Sequence, residues 1–195
     1  MFEVRKNSPN RVLADERFKR EDARSYDLAA EAFARLSATY SAPVADALVS
    51  TASVAAGDRV LDLGAGTGIV TKRLIDAGAR GIAADLSAGM LRIAARTSPV
   101  VRMDAEAFAI QPGSMDAVVS LFAVMHFPAP KTVLSECHAA LRPGGVLAFA
   151  FGAPAPWPGA MLRIPQALLD RAMTQTGRML RAPQALNARL RPGSG

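Results

Sequence analysis

Cysteine is nearly missing from this 195-residue chain, where Cys137 stands alone. A single thiol builds no disulfide framework and no cysteine-based metal site. Long apolar runs are missing as well. The longest, such as 117–125, fall far short of the roughly 20 residues that a membrane-spanning helix needs. The opening Met1-Phe2-Glu3 leads straight into charged sequence, without the apolar stretch of a secretory signal. From these absences the cytoplasm is the expected location. Lysine is scarce, 4 against 19 arginines. Acids are scarce in one region only: residues 153–195 hold six arginines and one acid, Asp170.

The net charge of +6 therefore lies mostly in the last 43 residues, while residues 1–152 balance 17 basic against 16 acidic side chains. A basic protein invites nucleic acid as a partner. The even balance over most of this chain argues against it, and an arginine- and alanine-rich composition equally suits a GC-rich coding sequence. Half of the residues are hydrophobic, enough for one domain with a sizeable core.

What is present concentrates in nine residues, Val60-Leu61-Asp62-Leu63-Gly64-Ala65-Gly66-Thr67-Gly68. An apolar run ends in an acid and opens into glycines at alternate positions. This reads as a buried strand delivering a glycine-rich turn to the start of a helix. Such turns hold a nucleotide-like ligand against bare N–H groups. A dinucleotide fingerprint would place its third glycine where Ile69 stands. An acid at position 62 also sits awkwardly beside a pyrophosphate and well beside an ammonium group.

Three regions are expected. Residues 1–40 form an N-terminal arm and helix. Residues 41–152 form an α/β core. Residues 153–195 form a basic helical tail. The charges of 1–24 read as a solvated arm or surface helix. Tyr26, Ala29, Ala30, Phe33, Leu36 and Tyr40 recur at helical spacing, and a second short helix follows Pro43. Strands are expected at 59–63, 81–85, 100–103, 117–122 and 146–151, with helices over 67–77, 87–96 and 129–141. Strands apolar on both faces and separated by helices imply a parallel sheet covered on both sides. After Gly152 no strand pattern appears, so the last strand is expected to expose an edge, covered by the tail, a partner or a second copy.

Three acids end consecutive strands: Asp62, then Asp85, which lies 21 residues after Gly64, then Asp104. A carboxylate at position 85 suits the two hydroxyls of a ribose. One at position 104 suits an exocyclic amine. With these residues the chain resembles the class I S-adenosylmethionine (SAM)-dependent methyltransferases, especially the ubiquinone- and menaquinone-biosynthesis group. The resemblance rests on VLDLGAGTG (60–68), ADLSAGML (84–91), MDAEAFAI (103–110), MDAVVSLFAVMHF (115–127) and LRPGG (141–145).

The resemblance implies a Rossmann-like, mostly parallel sheet whose C-terminal antiparallel strands are absent here. It implies SAM as cofactor and a small, apolar or aromatic acceptor. Asp62, Gly64, Ala65, Gly66, Thr67 and Gly68 would cradle the methionine and ribose part. Asp85 would hold the ribose, Leu86 and Met90 would pack on the adenine, Asp104 and Ala105 would meet its edge, and Ser120 would lie beside the methionine part. Methyl transfer needs alignment more than side-chain chemistry. Where a proton must leave, His126 is the candidate base; a packing histidine is its other reading. Tyr26 and Tyr40 read as core packing or as a cover over the cofactor, and His138 as a surface residue. A SAM-binding partner subunit without turnover is the alternative function, and a nicotinamide-dependent oxidoreductase a more distant one.

Overall fold

The computed structural model describes residues 9–151 and 160–165. Its first element is α1 (Pro9–Ala52), a single 44-residue helix. It runs unbroken through residues 40 and 41, where two separate helices were expected. Pro43 lies inside it, although a proline there removes one backbone hydrogen bond. The turns that follow hold the helix in place. Ala45, Leu48 and Ala52 are fully or almost fully buried against the sheet, and packing of this kind overrides local preference.

Then strands and helices alternate: β1 (Arg59–Leu63), α2 (Ile69–Asp76), β2 (Arg80–Asp85), α3 (Ala88–Ala94), β3 (Val100–Arg102) and β4 (Met115–Leu121). A short 3-10 turn (Val124–His126), α4 (Pro130–Ala140), β5 (Leu141–Phe151) and β6 (Ala160–Pro165) complete the described elements. The sheet order is β3-β2-β1-β4-β5-β6. The first five strands run parallel, and β6 pairs antiparallel with β5 from Phe151↔Ala160 to Val146↔Pro165. The Rossmann-like parallel sheet is as expected. The strand after β5 is not. The edge of β5 is covered by this chain itself, with Pro165 at the strand end, where a missing donor is tolerated. The remainder of the expected helical tail lies outside the described residues.

Side chains alternate between two cores, as a period of two dictates. Val60 of β1, Ala117 and Val119 of β4, and Ala148 of β5 face Leu48 of α1 and Leu74 of α2. Leu61, Leu63, Val118 and Leu147 face the other way, toward Val133 and Cys137 of α4. Cys137 has no solvent exposure, and burial pushes its thiol up to about 12. Among the described residues no helix is long and apolar enough to cross a membrane.

Candidate functional site

The order of the strands reverses between β1 and β4, the crevice where parallel sheets place their ligands. The turn at 64–68 leaves β1 there. Gly64 has φ +68°, and a Cβ built on it would lie 2.2 Å from the Cβ of Ala123. The turn thus runs directly against the segment that follows β4, and glycine is demanded by both conformation and space. Gly68 (φ +84°) precedes α2, and its missing Cβ leaves room for Ala94 of α3 at 3.0 Å. It serves helix packing and is not part of the cavity wall.

A cavity of about 440 Å³ opens beyond these strand ends, within the size range of small-molecule sites. Gly64, Ala65, Gly66 and Thr67 line it from the turn, and Asp85, Leu86 and Met90 from the end of β2. Asp104 and Ala105 line it after β3, and His126 after β4. The facing wall comes from α1, through Lys19, Asp22, Tyr26, Phe33 and Tyr40. Both tyrosines therefore stand on the cavity. Tyr26 is half-buried and Tyr40 is 57% exposed, so neither is core packing. His138 is half-buried on α4 and does not line the cavity.

The three strand-end acids differ in what they hold. Asp62 is buried and shares the side of β1 that faces α2. Its Oδ2 accepts hydrogen bonds from Thr71 N at 2.9 Å and Thr71 Oγ1 at 2.6 Å, which fastens the helix to the strand. Its Oδ1 is buried without a partner among the described residues. Burial pushes this carboxyl up to about 7, against the pull of the Thr71 bonds. An unmet buried acceptor is unfavourable, and here it borders the cavity.

Asp85 accepts from Ser87 N through Oδ1 and from Gly66 N through Oδ2, each at 2.8 Å. It thereby ties the glycine turn to the end of β2. Burial raises its carboxyl above the ordinary range, while the N–H groups of Ser87 and Gly66 act the other way. Asp104 accepts from Glu106 N at 2.8 Å and from Lys19 Nζ at 2.7 Å. Lys19 is only 8% exposed. It also reaches Glu16 at 2.5 Å and Glu106 at 3.2 Å. Burial works against its charge, but the hydrogen bonds to Asp104, Glu16 and Glu106 outweigh burial and hold its ammonium above the ordinary lysine value.

Ser120 departs from expectation. It is fully buried, its hydroxyl donates to Leu63 O at 2.7 Å, and it does not line the cavity. It joins β4 to the end of β1. His126 is placed at the cavity, its Nδ1 3.1 Å from Asp22 Oδ2 and its Nε2 3.3 Å from Tyr26 Oη.

Lys19, Asp22 and Asp27 of α1 were not anticipated. Asp27 Oδ1 accepts from Ser87 Oγ at 2.6 Å and from Gly89 N at 2.7 Å, docking α1 on the start of α3. Those two bonds draw its carboxyl below the ordinary range. The signal for this face was the spacing 19, 22, 26, 30, 33. It continues the Tyr26–Phe33 stripe backward through charged residues.

The donors this cavity asks for are hydroxyls and amines. Its acids outnumber its cations, and Lys19 is already held by carboxylates. Such a site, at the carboxyl ends of a Rossmann-like sheet, suits a small nucleoside-like ligand better than a pyrophosphate. Residues 61–149 match the family model described as a methyltransferase domain.

The chain is 36% identical over 106 residues to the demethylmenaquinone methyltransferase of Renibacterium salmoninarum, covering 53% of this chain and 45% of that protein. It is 35% identical over 112 residues to the ubiquinone biosynthesis O-methyltransferase of Bordetella pertussis, covering 51% and 45%. The chain thus spans about half the length of the curated relatives it matches. Among solved structures it resembles a chain of the complex between the Haloferax volcanii Trm112 methyltransferase activator and its methyltransferase. There the TM-score is 0.62 at 26% identity, over 65% of this chain and 59% of that one. A SAM-dependent methyltransferase of Mesorhizobium loti superposes with a TM-score of 0.51 at 27% identity, over 54% and 52%.

Proposed function

We propose that this chain binds SAM in the cavity and transfers its methyl group to a small acceptor, apolar or aromatic, at oxygen, carbon or nitrogen. The observation that carries the reading is the gathering of three strand-end acids around a cavity floored by the glycine turn. The residues fit the ligand. Asp85 borders the turn, where a ribose would offer two hydroxyls. Leu86 and Met90 supply apolar surface for a purine. Asp104 keeps acceptor capacity beyond its bonds to Lys19 and Glu106, since a carboxylate has about four acceptor sites. The unpartnered Oδ1 of Asp62 suits the ligand's ammonium or a water held by it.

When bound, the cofactor supplies an electrophilic methyl group on a sulfonium sulfur. The protein's part is to position an acceptor in line with that group and to exclude water. The glycine turn holds one side, and Tyr26, Phe33 and Phe127 narrow the other. A demethylmenaquinone methyltransferase and a ubiquinone biosynthesis O-methyltransferase among the relatives support an acceptor with a flat ring.

Titration with SAM and S-adenosylhomocysteine by calorimetry tests this. Micromolar binding that weakens at least tenfold in Asp85→Ala is expected. A folded protein with no affinity for either compound overturns the reading.

A further inference from the structure

Three ionisable side chains meet at one side of the cavity. Asp22 and Tyr26 lie one turn apart on α1 and so share a face. His126 reaches them from the 3-10 turn after β4. Its Nδ1 lies 3.1 Å from Asp22 Oδ2, and its Nε2 lies 3.3 Å from Tyr26 Oη. The Tyr26 and His126 rings meet edge to face at 5.4 Å. Tyr26 meets Phe33 in the same way at 5.9 Å, a second ring contact on the phenol. Leu121, Phe122, Met125 and Phe127 add apolar side chains to the lining of the same cavity.

From this geometry, and resting on the methyltransferase reading above, we infer that Asp22, His126 and Tyr26 form a proton relay, and that the acceptor it serves is an aromatic hydroxyl. Asp22 can only accept, so it fixes the imidazole proton on Nδ1 and leaves the lone pair of Nε2 toward Tyr26. The Tyr26 hydroxyl donates to that lone pair and presents its own oxygen to the cavity. An incoming phenol donates its proton to Tyr26 Oη as the Tyr26 proton passes to Nε2. The phenol oxygen forms a bond to the methyl carbon while the carbon–sulfur bond breaks, and that electron pair stays on sulfur. The imidazolium, held by the Asp22 carboxylate, later returns its proton to solvent.

Asp22 is thus a positioning residue, acting through His126. A neutral amine attacks without first losing a proton, and for such an acceptor this arrangement has no use. Burial, with Asp22 and Tyr40 nearby, raises the Tyr26 hydroxyl above its ordinary value. Tyr26 therefore stays neutral while it passes the proton on. Asp85, across the cavity from α1, also faces His126.

The test uses the full chain with catechol as probe and 1,2-diaminobenzene as its shape-matched control. S-adenosylhomocysteine affinity comes first and separates the two readings. It should stay within threefold of wild type in Asp22→Asn, Tyr26→Phe and His126→Asn. Catechol should be methylated, and any turnover of the diamine should be the same in these variants as in wild type. Catechol turnover should fall at least a hundredfold in His126→Asn and about tenfold in the other two variants. The acid limb of the catechol pH–rate profile should move to lower pH in Asp22→Asn. Independently of turnover, nitrogen-15 NMR should show the neutral His126 ring with its proton on Nδ1, and a mixture of tautomers in Asp22→Asn. No binding of S-adenosylhomocysteine at all would sink the methyltransferase reading and this inference with it. With that binding intact, an Nε2–H ring, diamine turnover that falls in the variants as catechol turnover does, catechol left unmethylated, or variants within threefold of wild type on catechol each overturn the relay alone.

Discussion

At the strand ends the cavity wall is formed by the turn at 64–67 and by Asp62, Asp85 and Asp104, with the N–H groups of Gly64 and Ala65 bonded to Ala84 O and that of Gly66 to Asp85. Across the cavity, α1 contributes side chains: Lys19, Asp22, Tyr26 and Phe33. The first wall is fixed by backbone conformation and close approach and tolerates little change. The second is assembled from ion pairs and ring contacts that one substitution can alter while the helix stays in place. Under the proposed function, such a division would let one wall keep a cofactor while the other is retuned for an acceptor.

The largest effect should come from attacking the first wall. Gly64→Ala combines a left-handed backbone with overlap on Ala123. It should lower stability by about 3 kcal/mol, read as a shift of the urea midpoint, and abolish S-adenosylhomocysteine binding. The second wall should break more gently. Lys19→Met leaves Asp104 and Glu106 without their cation and should cost about 2 kcal/mol at neutral pH. Because the folded protein holds the Lys19 ammonium above its ordinary value, this contribution is complete at neutral pH. It is lost only as the pH climbs past the usual lysine value of about 10.4.

Asp62→Asn should act mainly through pH. The folded carboxyl titrates near 7, far above its unfolded value of about 3.9. Between those values the folded state keeps a proton that the unfolded state gives up, so this group makes stability fall as the pH rises. Its slope is at most about 1.4 kcal/mol per pH unit, and in the variant melting temperatures should change less with pH over that window. The smallest effect belongs to the outer face of α1. Leu36 is 72% exposed, and Leu36→Ser should change stability by less than about 0.5 kcal/mol and leave ligand binding untouched. A large loss there would show that α1 works through its outer face as well as its inner one.

The strand-end wall was legible because its determinants are local. Glycines at 64, 66 and 68 and acids ending three strands announce themselves in short windows of sequence. The helix wall was not, because its determinants are distant. Asp22 gains meaning only from His126, 104 residues on, and Lys19 only from Asp104 and Glu106. Pro43 suggested a break that burial of Ala45, Leu48 and Ala52 overrules. Ser120 and Gly68 carry motif positions, yet their side-chain space serves strand joining and helix packing. The six residues of β6 end in proline and show no clear alternation. They form a strand because β5 offers an edge, which no local pattern records.

The lone cysteine makes this fold its own stopwatch. Cys137 sits on the buried face of α4 with no exposure and a thiol held up to about 12, so an alkylating reagent in solvent can reach it only after α4 lifts from the sheet. With one thiol in the chain, each labelled molecule carries one added mass and reports one opening. When reclosing outpaces alkylation, the labelling rate gives the free energy of that opening. When alkylation is faster, it gives the opening rate itself. Bound S-adenosylhomocysteine should slow the labelling if the opening that frees α4 also dismantles the cavity, and should leave it unchanged if α4 opens alone.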